Sequence, residues 1–207
     1  MVTTSCPQLG VIYDAAVEAD YAVELGADDP TLEIPWTAPD GGPRYHDLKC
    51  KPELLAHIEE ARRAPALAEF LAAINSASIP LQTAKCDVWT TSEMHPEDEI
   101  FAAKWKFGSY VDLFFAEMTP RLSFDRNEAL AKRLAALLKR VPEIPASAEF
   151  VVRRCFFHSS ADQSDSGFYI TFYLAGFGAD EEHAQRQWGN ALKLVENAIR
   201  QACTEMP

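Results

Sequence analysis

Phe101-Ala102-Ala103-Lys104-Trp105-Lys106-Phe107-Gly108-Ser109-Tyr110-Val111-Asp112-Leu113-Phe114-Phe115 is the stretch on which the reading of this chain turns. Phe101, Ala103, Trp105, Phe107, Val111, Leu113 and Phe115 fall on odd positions, opposite Lys104, Lys106, Tyr110 and Asp112. A strand sends alternate side chains to opposite faces, so this parity predicts a β-strand with one face in a core and the other in water. Gly108-Ser109 marks a bulge or bend, because glycine weakens a strand but permits unusual backbone angles.

On either side of this strand the pattern continues. Residues 83–91 read as a strand, joined to it through the acidic tip His95-Pro96-Glu97-Asp98-Glu99. After it, a helix is predicted from a Ser123 or Asp125 cap to about 140, with Leu130, Leu134, Leu137, Leu138 and Val141 on one stripe. The same order then recurs: strand 148–157, polar tip 158–166, strand 168–177, and helix 180–203 bearing Ala184, Trp188, Leu192, Val195 and Ile199. Each first strand holds a cysteine (Cys86, Cys155) and each tip a histidine (His95, His158). The fold class expected is α+β: a mainly antiparallel sheet with a ββα-ββα core over residues about 83–203 and two long helices packed on one face. An internal repeat accounts for this order, and so does the general use of hairpin-plus-helix units to bury a sheet.

The strand at 168–177 differs from its counterpart. Phe168, Ile170, Phe172 and Leu174 share one parity, with Tyr169, Thr171, Tyr173 and Phe177 on the other side. Such a strand is central, and is either covered on both sides or has an aromatic face open to a ligand.

Toward the N-terminus, residues 17–25 alternate apolar with mostly acidic positions, as in a half-buried strand, although the Ala and Glu content and a cap at Asp14 also suit a helix from 15 to 25. Turn residues Gly26-Ala27-Asp28-Asp29-Pro30 follow, then Leu32, Ile34 and Trp36 on one parity, which together predict an N-terminal hairpin. Pro35 assigns its second strand to an edge. Beyond a Pro/Gly-rich loop at 37–48, two short helices are expected at 52–63 and 65–74, separated by Pro65. One domain is expected over 1–207, with the hairpin and short helices in 1–80 and the ββα-ββα core in 81–207.

Bulk properties restrict function. With 31 acidic and 19 basic residues the formal charge is -12, a field that repels nucleic acid and anionic lipid, and the basic pairs Arg153-Arg154 and Lys104-x-Lys106 are too short to offset it. Nucleic acid and membrane are therefore not expected partners. No apolar run is long enough to span a bilayer and no leader pattern is visible, so a soluble, cytoplasmic protein is expected. Five scattered cysteines, with no Cys-x-x-Cys pair, fit reduced thiols.

Cofactor signatures are not evident. Gly41-Gly42 runs into Pro43, and Gly176-Phe177-Gly178 stops after one Gly-x-Gly with Asp180 close by, so neither cradles a phosphate. The two His-bearing acidic tips read as solvated turns and no metal site is assigned. Cys155 and His158 point to opposite faces of a strand and form no dyad, and both strand cysteines read as small core residues. Lys85, Asp87, Lys106 and Asp112 read as cross-strand ion pairs on a wet face. Arg153 and Arg154 also face opposite ways, and whichever is the more buried needs a carboxylate or an anionic ligand.

The loop bearing Trp36, Asp40, Arg44, Tyr45, His46 and Asp47 has the composition of a rim or lid: aromatic surface, a fixed cation and an imidazole on a Pro-stiffened connection. The leading expectation is a small polar or anionic ligand in an aromatic-lined pocket, with Trp36, Arg44, Tyr45, His46, Arg153, Arg154, His158, Tyr169 and Tyr173 as the binding residues. One alternative is a homodimeric interaction protein without ligand; another is a hydrolase- or lyase-like enzyme using His46 or His158 with Lys85, Asp87 or Asp112 as acid–base groups.

Overall fold

The computed structural model describes residues 18–37, 44–94, 103–141, 144–160 and 163–205. The acidic tip at 95–99, positions 161 and 162 of the polar tip, and Asp14, Asp40, Gly41, Gly42, Pro43 and Phe101 lie outside the described residues. In chain order the elements are β1 (Glu18–Glu24), β2 (Leu32–Ile34), a 3-10 segment (Pro52–His57), α1 (Glu59–Arg63), α2 (Pro65–Ile74), β3 (Leu81–Thr91) and β4 (Trp105–Phe115). They continue with α3 (Met118–Arg121), α4 (Phe124–Leu138), β5 (Ala146–Ser160), β6 (Gln163–Gly178) and α5 (Glu181–Glu205). The fold is α+β, with a mixed, mostly antiparallel six-stranded sheet in the order β1-β5-β6-β4-β3 and β2 also paired to β5.

The N-terminal hairpin is not formed. Residues 18–24 are a strand, but β1 and β2 both run parallel to β5, meeting successive stretches of it: Glu24 lies opposite Arg153 and Leu32 opposite Cys155. The turn at 26–30, tied by the Gly26 amide donating to Asp29 Oδ2 at 2.6 Å, thus makes an outward excursion instead of reversing the chain. Two short strands paired only with each other are marginal in water. The outer edge of β5 offers them a ladder and an apolar contact, and Leu32 and Ile34 bury there with Cys155 and Phe157. Ile34-Pro35 is a cis peptide, and Pro35 follows an edge strand where its missing N–H costs no ladder bond. The expected 52–63 helix is also divided, with Ile58 extended between the 3-10 segment and α1.

Inside the sheet, parity and burial agree. Val111 and Leu113 of β4, Phe150 and Val152 of β5, and Ile170 and Phe172 of β6 share a buried cluster with Phe70 of α2, Leu130 and Leu134 of α4, and Trp188 and Leu192 of α5. Ser123 caps α4 by accepting from the Arg126 amide at 3.3 Å. β6 is central, between β5 and β4, and Phe172 meets Phe150 in a stack with ring centroids 5.2 Å apart. No helix among the described residues is long and apolar enough to cross a membrane.

Opposite that cluster the sheet has a second face, and part of it departs from the expected wet surface. Asp112 is only 5% exposed and Phe114 1%. The reason is tertiary: Leu32, Ile34, Phe114, Cys155, Phe157 and Tyr169 form a separate buried cluster there, with Tyr45 and Leu122 against it.

Candidate functional site

From β2 the chain passes to the outer edge of β3. The Arg44 amide donates to the Trp36 carbonyl at 3.2 Å, and Gln82 of β3 donates to the Tyr45 hydroxyl at 3.0 Å. Lys85 Nζ lies 4.6 Å from the Trp36 ring centroid, a cation–π contact that orients the indole. The β3–β4 register shifts between Thr83 and Cys86, and Lys85 lies within that irregularity. Burial, with help from the Asp47 carboxylate, pushes the Tyr45 phenol up to about 12, so it stays protonated at neutral pH.

Between this segment and the 3-10/α1 turn lies a pocket of about 250 Å³, lined by Trp36, Arg44, His46, His57, Arg62 and Lys85 with Glu59 and Glu60 also in its wall. The imidazoles of His46 and His57 are 6.5 Å apart by ring centroid. Trp36 Nε1 is buried and has no hydrogen-bond acceptor among the described residues. A buried donor without a partner costs about 1–3 kcal/mol, and buried polar atoms are nearly always satisfied, so this orphan, on a residue that also lines the pocket, is an unmet donor that calls for an explanation.

A second polar constellation crosses the sheet. Arg153 donates to Glu24 at 2.7 Å, to Thr171 Oγ1 at 2.8 Å and to the Tyr173 hydroxyl at 3.1 Å. Thr171 donates in turn to Asp112 at 2.8 Å. The relay joins β1, β5, β6 and β4, and it supplies the carboxylate that a buried arginine needs. Burial raises the Asp112 carboxyl to about 6 against the opposing influence of the Thr171 hydroxyl, Lys85 and Arg153. Burial likewise pushes Tyr110 up to about 12 and Cys86 to about 12, and it raises Cys155. Those thiols are held protonated, which removes the thiolate that a cysteine nucleophile requires.

The sequence-flagged residues separate into distinct places. Trp36, Arg44 and His46 share the β3-edge pocket, and Tyr45 sits beside it against the second-face cluster. Arg153 and Tyr173 belong to the relay, and Tyr169 is buried in that cluster. Arg154 points the other way and donates to the Leu25 carbonyl at 3.2 Å. His158 lies 3.6 Å from Glu33 near the far end of β5. Reading the sequence does not single out His57, Arg62 or Thr171 as binding residues. His57 and Arg62 carry no local pattern, whereas Thr171 shares the parity of Tyr169 and Tyr173 and is legible from it. Among the described residues no group of three or more His, Cys, Asp or Glu side chains is placed to hold a metal.

Comparison of the chain with protein-family models, with curated proteins and with solved structures finds no match.

Proposed function

We propose that the protein binds a small anionic or polar molecule in the pocket at the outer edge of β3. The observation that carries this reading is the Trp36 indole N–H, buried without an acceptor among the described residues, in a wall shared with Arg44, Arg62 and Lys85. An oxygen of a carboxylate or phosphate satisfies that donor and is attracted by the three cations, while the indole face supplies apolar contact. Glu59 and Glu60 in the same wall disfavour a highly charged anion and favour one with a single anionic group beside a neutral polar or aromatic part. The scaffold of this site is read as a ββα-ββα core with α4 and α5 as its long helices, a reading supported by the element order β3-β4-α4 and β5-β6-α5.

A thermal-shift titration with benzoate, citrate and inorganic phosphate tests the proposal, because a ligand that prefers the native state raises the melting temperature by linkage. Trp36→Phe keeps an aromatic ring and removes the orphan donor. We expect the unliganded variant to be as stable as the parent or up to about 2 kcal/mol more stable, while its benzoate-dependent shift falls by at least half. A flat response of the parent protein to all three probes at tens of millimolar would sink the proposal. So would a Trp36→Phe variant that loses stability and keeps the full shift.

A further inference from the structure

The sheet carries a second surface, on the side away from α4 and α5 and displaced from the Trp36 pocket. Strand register defines it. Asp20 of β1 lies opposite Glu149 of β5, Glu149 opposite Tyr173 of β6, Tyr173 opposite Tyr110 of β4, and Tyr110 opposite Asp87 of β3. Two residues along, Glu18 pairs with Ser147 and Trp89 with Gly108. A Cβ on Gly108 would come within 2.5 Å of the Trp89 indole, so the glycine is what lets that ring approach the sheet. Trp89 is nevertheless 40% exposed.

A groove of about 420 Å³ runs here, lined by Glu18, Asp20, Trp89, Lys106, Glu149 and Tyr173 among others. Its charges are not balanced internally. Glu18 and Glu149 make no ion pair among the described residues, and Asp20 makes a long one of 3.9 Å to Lys139 with both side chains largely exposed. Lys106 sits 5.5 Å over the Phe177 ring. Two carboxylates directly opposite each other on neighbouring strands repel, so Asp20 and Glu149 are an unfavourable pair that a cation relieves.

We propose that this face docks a lysine- or arginine-bearing extended segment of a partner protein. Ammonium and guanidinium groups are the ions that both carboxylates and the exposed Trp89 indole attract, while the half-buried Tyr173 ring already carries the Arg153 guanidinium at 5.5 Å. The overall charge of -12 favours encounter with a basic partner. A second copy of this chain would bring the same carboxylates against one another. From β1 to β3 the face spans about 19 Å, the reach of about six extended residues, with Glu18 and Asp20 at the β1 end and Asp87, paired with Arg63 at 3.8 Å, at the β3 end.

Titration calorimetry of the full chain with hexalysine at low ionic strength tests this. Saturable binding is expected, weakened about three- to fivefold by Trp89→Ala and by Glu149→Gln, in keeping with a cation–π contact and a surface ion pair. Glu182→Gln, an equal change of charge at a position on α5 whose side chain is 92% exposed, should leave the affinity within about twofold. No saturation by 1 mM peptide overturns the proposal, as does equal weakening by all three variants, which denotes attraction to the general field. Spermine binding as tightly as hexalysine, with the same dependence on Trp89 and Glu149, overturns it in favour of a polyamine site.

Discussion

Asp112 is held by opposing influences of unequal size. Removal from water disfavours its charge more than the Thr171 hydroxyl, Lys85 and Arg153 restore it, and the carboxyl titrates near 6 instead of its ordinary 3.8. Between those values the folded chain binds the proton and the unfolded chain does not. The stabilisation linked to that proton is complete below about pH 4 and is lost as the pH rises through about 6, a change of about 3 kcal/mol. Asp112→Asn keeps an oxygen to accept from Thr171 and cannot ionise. We therefore expect the variant to match the parent near pH 4 and to exceed it by up to about 3 kcal/mol at pH 7.5, read as the difference between urea denaturation curves. A deficit of the variant at pH 7.5 would show that the charge is net stabilising there. Parity alone reads Asp112 as wet, because the residues that bury its surroundings, among them Leu32, Ile34 and Tyr45, come from a distant part of the chain.

At the scale of elements α5 is held close against β6. A Cβ on Gly176 would lie 2.2 Å from the Trp188 amide nitrogen, and one on Gly178 would lie 2.4 Å from that of Ala184. Helix backbone therefore rests directly on strand, and the Trp188 indole donates to Ser109 Oγ of β4 at 2.8 Å. Gly176-Phe177-Gly178 has a packing role, which explains a Gly-x-Gly with no other feature of a phosphate cradle. Gly176→Ala should cost about 1–3 kcal/mol or more by prising α5 from the sheet. Gly189→Ala, in the same helix, meets only the Ala66 Cβ at an ordinary 3.7 Å, and should stabilise by up to about 1 kcal/mol through helix propensity. Urea midpoints measured on the pair separate the two effects, and a Gly176→Ala variant as stable as Gly189→Ala would refute the contact. The stripes of α4 and α5 were legible because a helix repeats its buried positions at short range: Leu130, Leu134, Leu137 and Leu138 are all buried, as are Trp188, Leu192, Val195 and Ile199, whereas Val141, expected on the first stripe, lies beyond the end of α4 and is only half-buried. The pairing of β1 and β2 was not, since parity gives a strand its faces and leaves its neighbours unspecified. The same limit dispersed the candidate binding residues. Trp36, Arg44 and His46 lie close in sequence and stayed together, whereas Arg153, Arg154 and His158 belong to a long strand that turns them to different sides and ends.

For the whole molecule, the consequence we expect of that long-range pairing is shared stability. β1 and β2 complete the outer edge of β5, Phe70 of α2 packs against Phe172 of the central strand at 6.0 Å, and Glu69 reaches Lys193 of α5 at 3.1 Å. Asn75, at the end of α2, donates to Thr83 Oγ1 at 2.8 Å and accepts from the Thr83 amide at 3.1 Å, both in buried surroundings. Residues 18–80 thus cover apolar surface and satisfy polar groups of residues 81–205, and each part would expose a core face without the other. Two separately stable units would instead keep their own cores, with few contacts crossing the boundary. We expect one cooperative thermal transition, with calorimetric and van't Hoff enthalpies equal, as for a single two-state unit. A fragment comprising 81–207 should lack that transition, because the helix-side pocket of Phe172 is opened and the edge of β5 is left unpaired at once. Two resolved transitions in the full chain, or a fragment that melts cooperatively near the parent temperature, would show that the N-terminal elements only decorate a self-sufficient core.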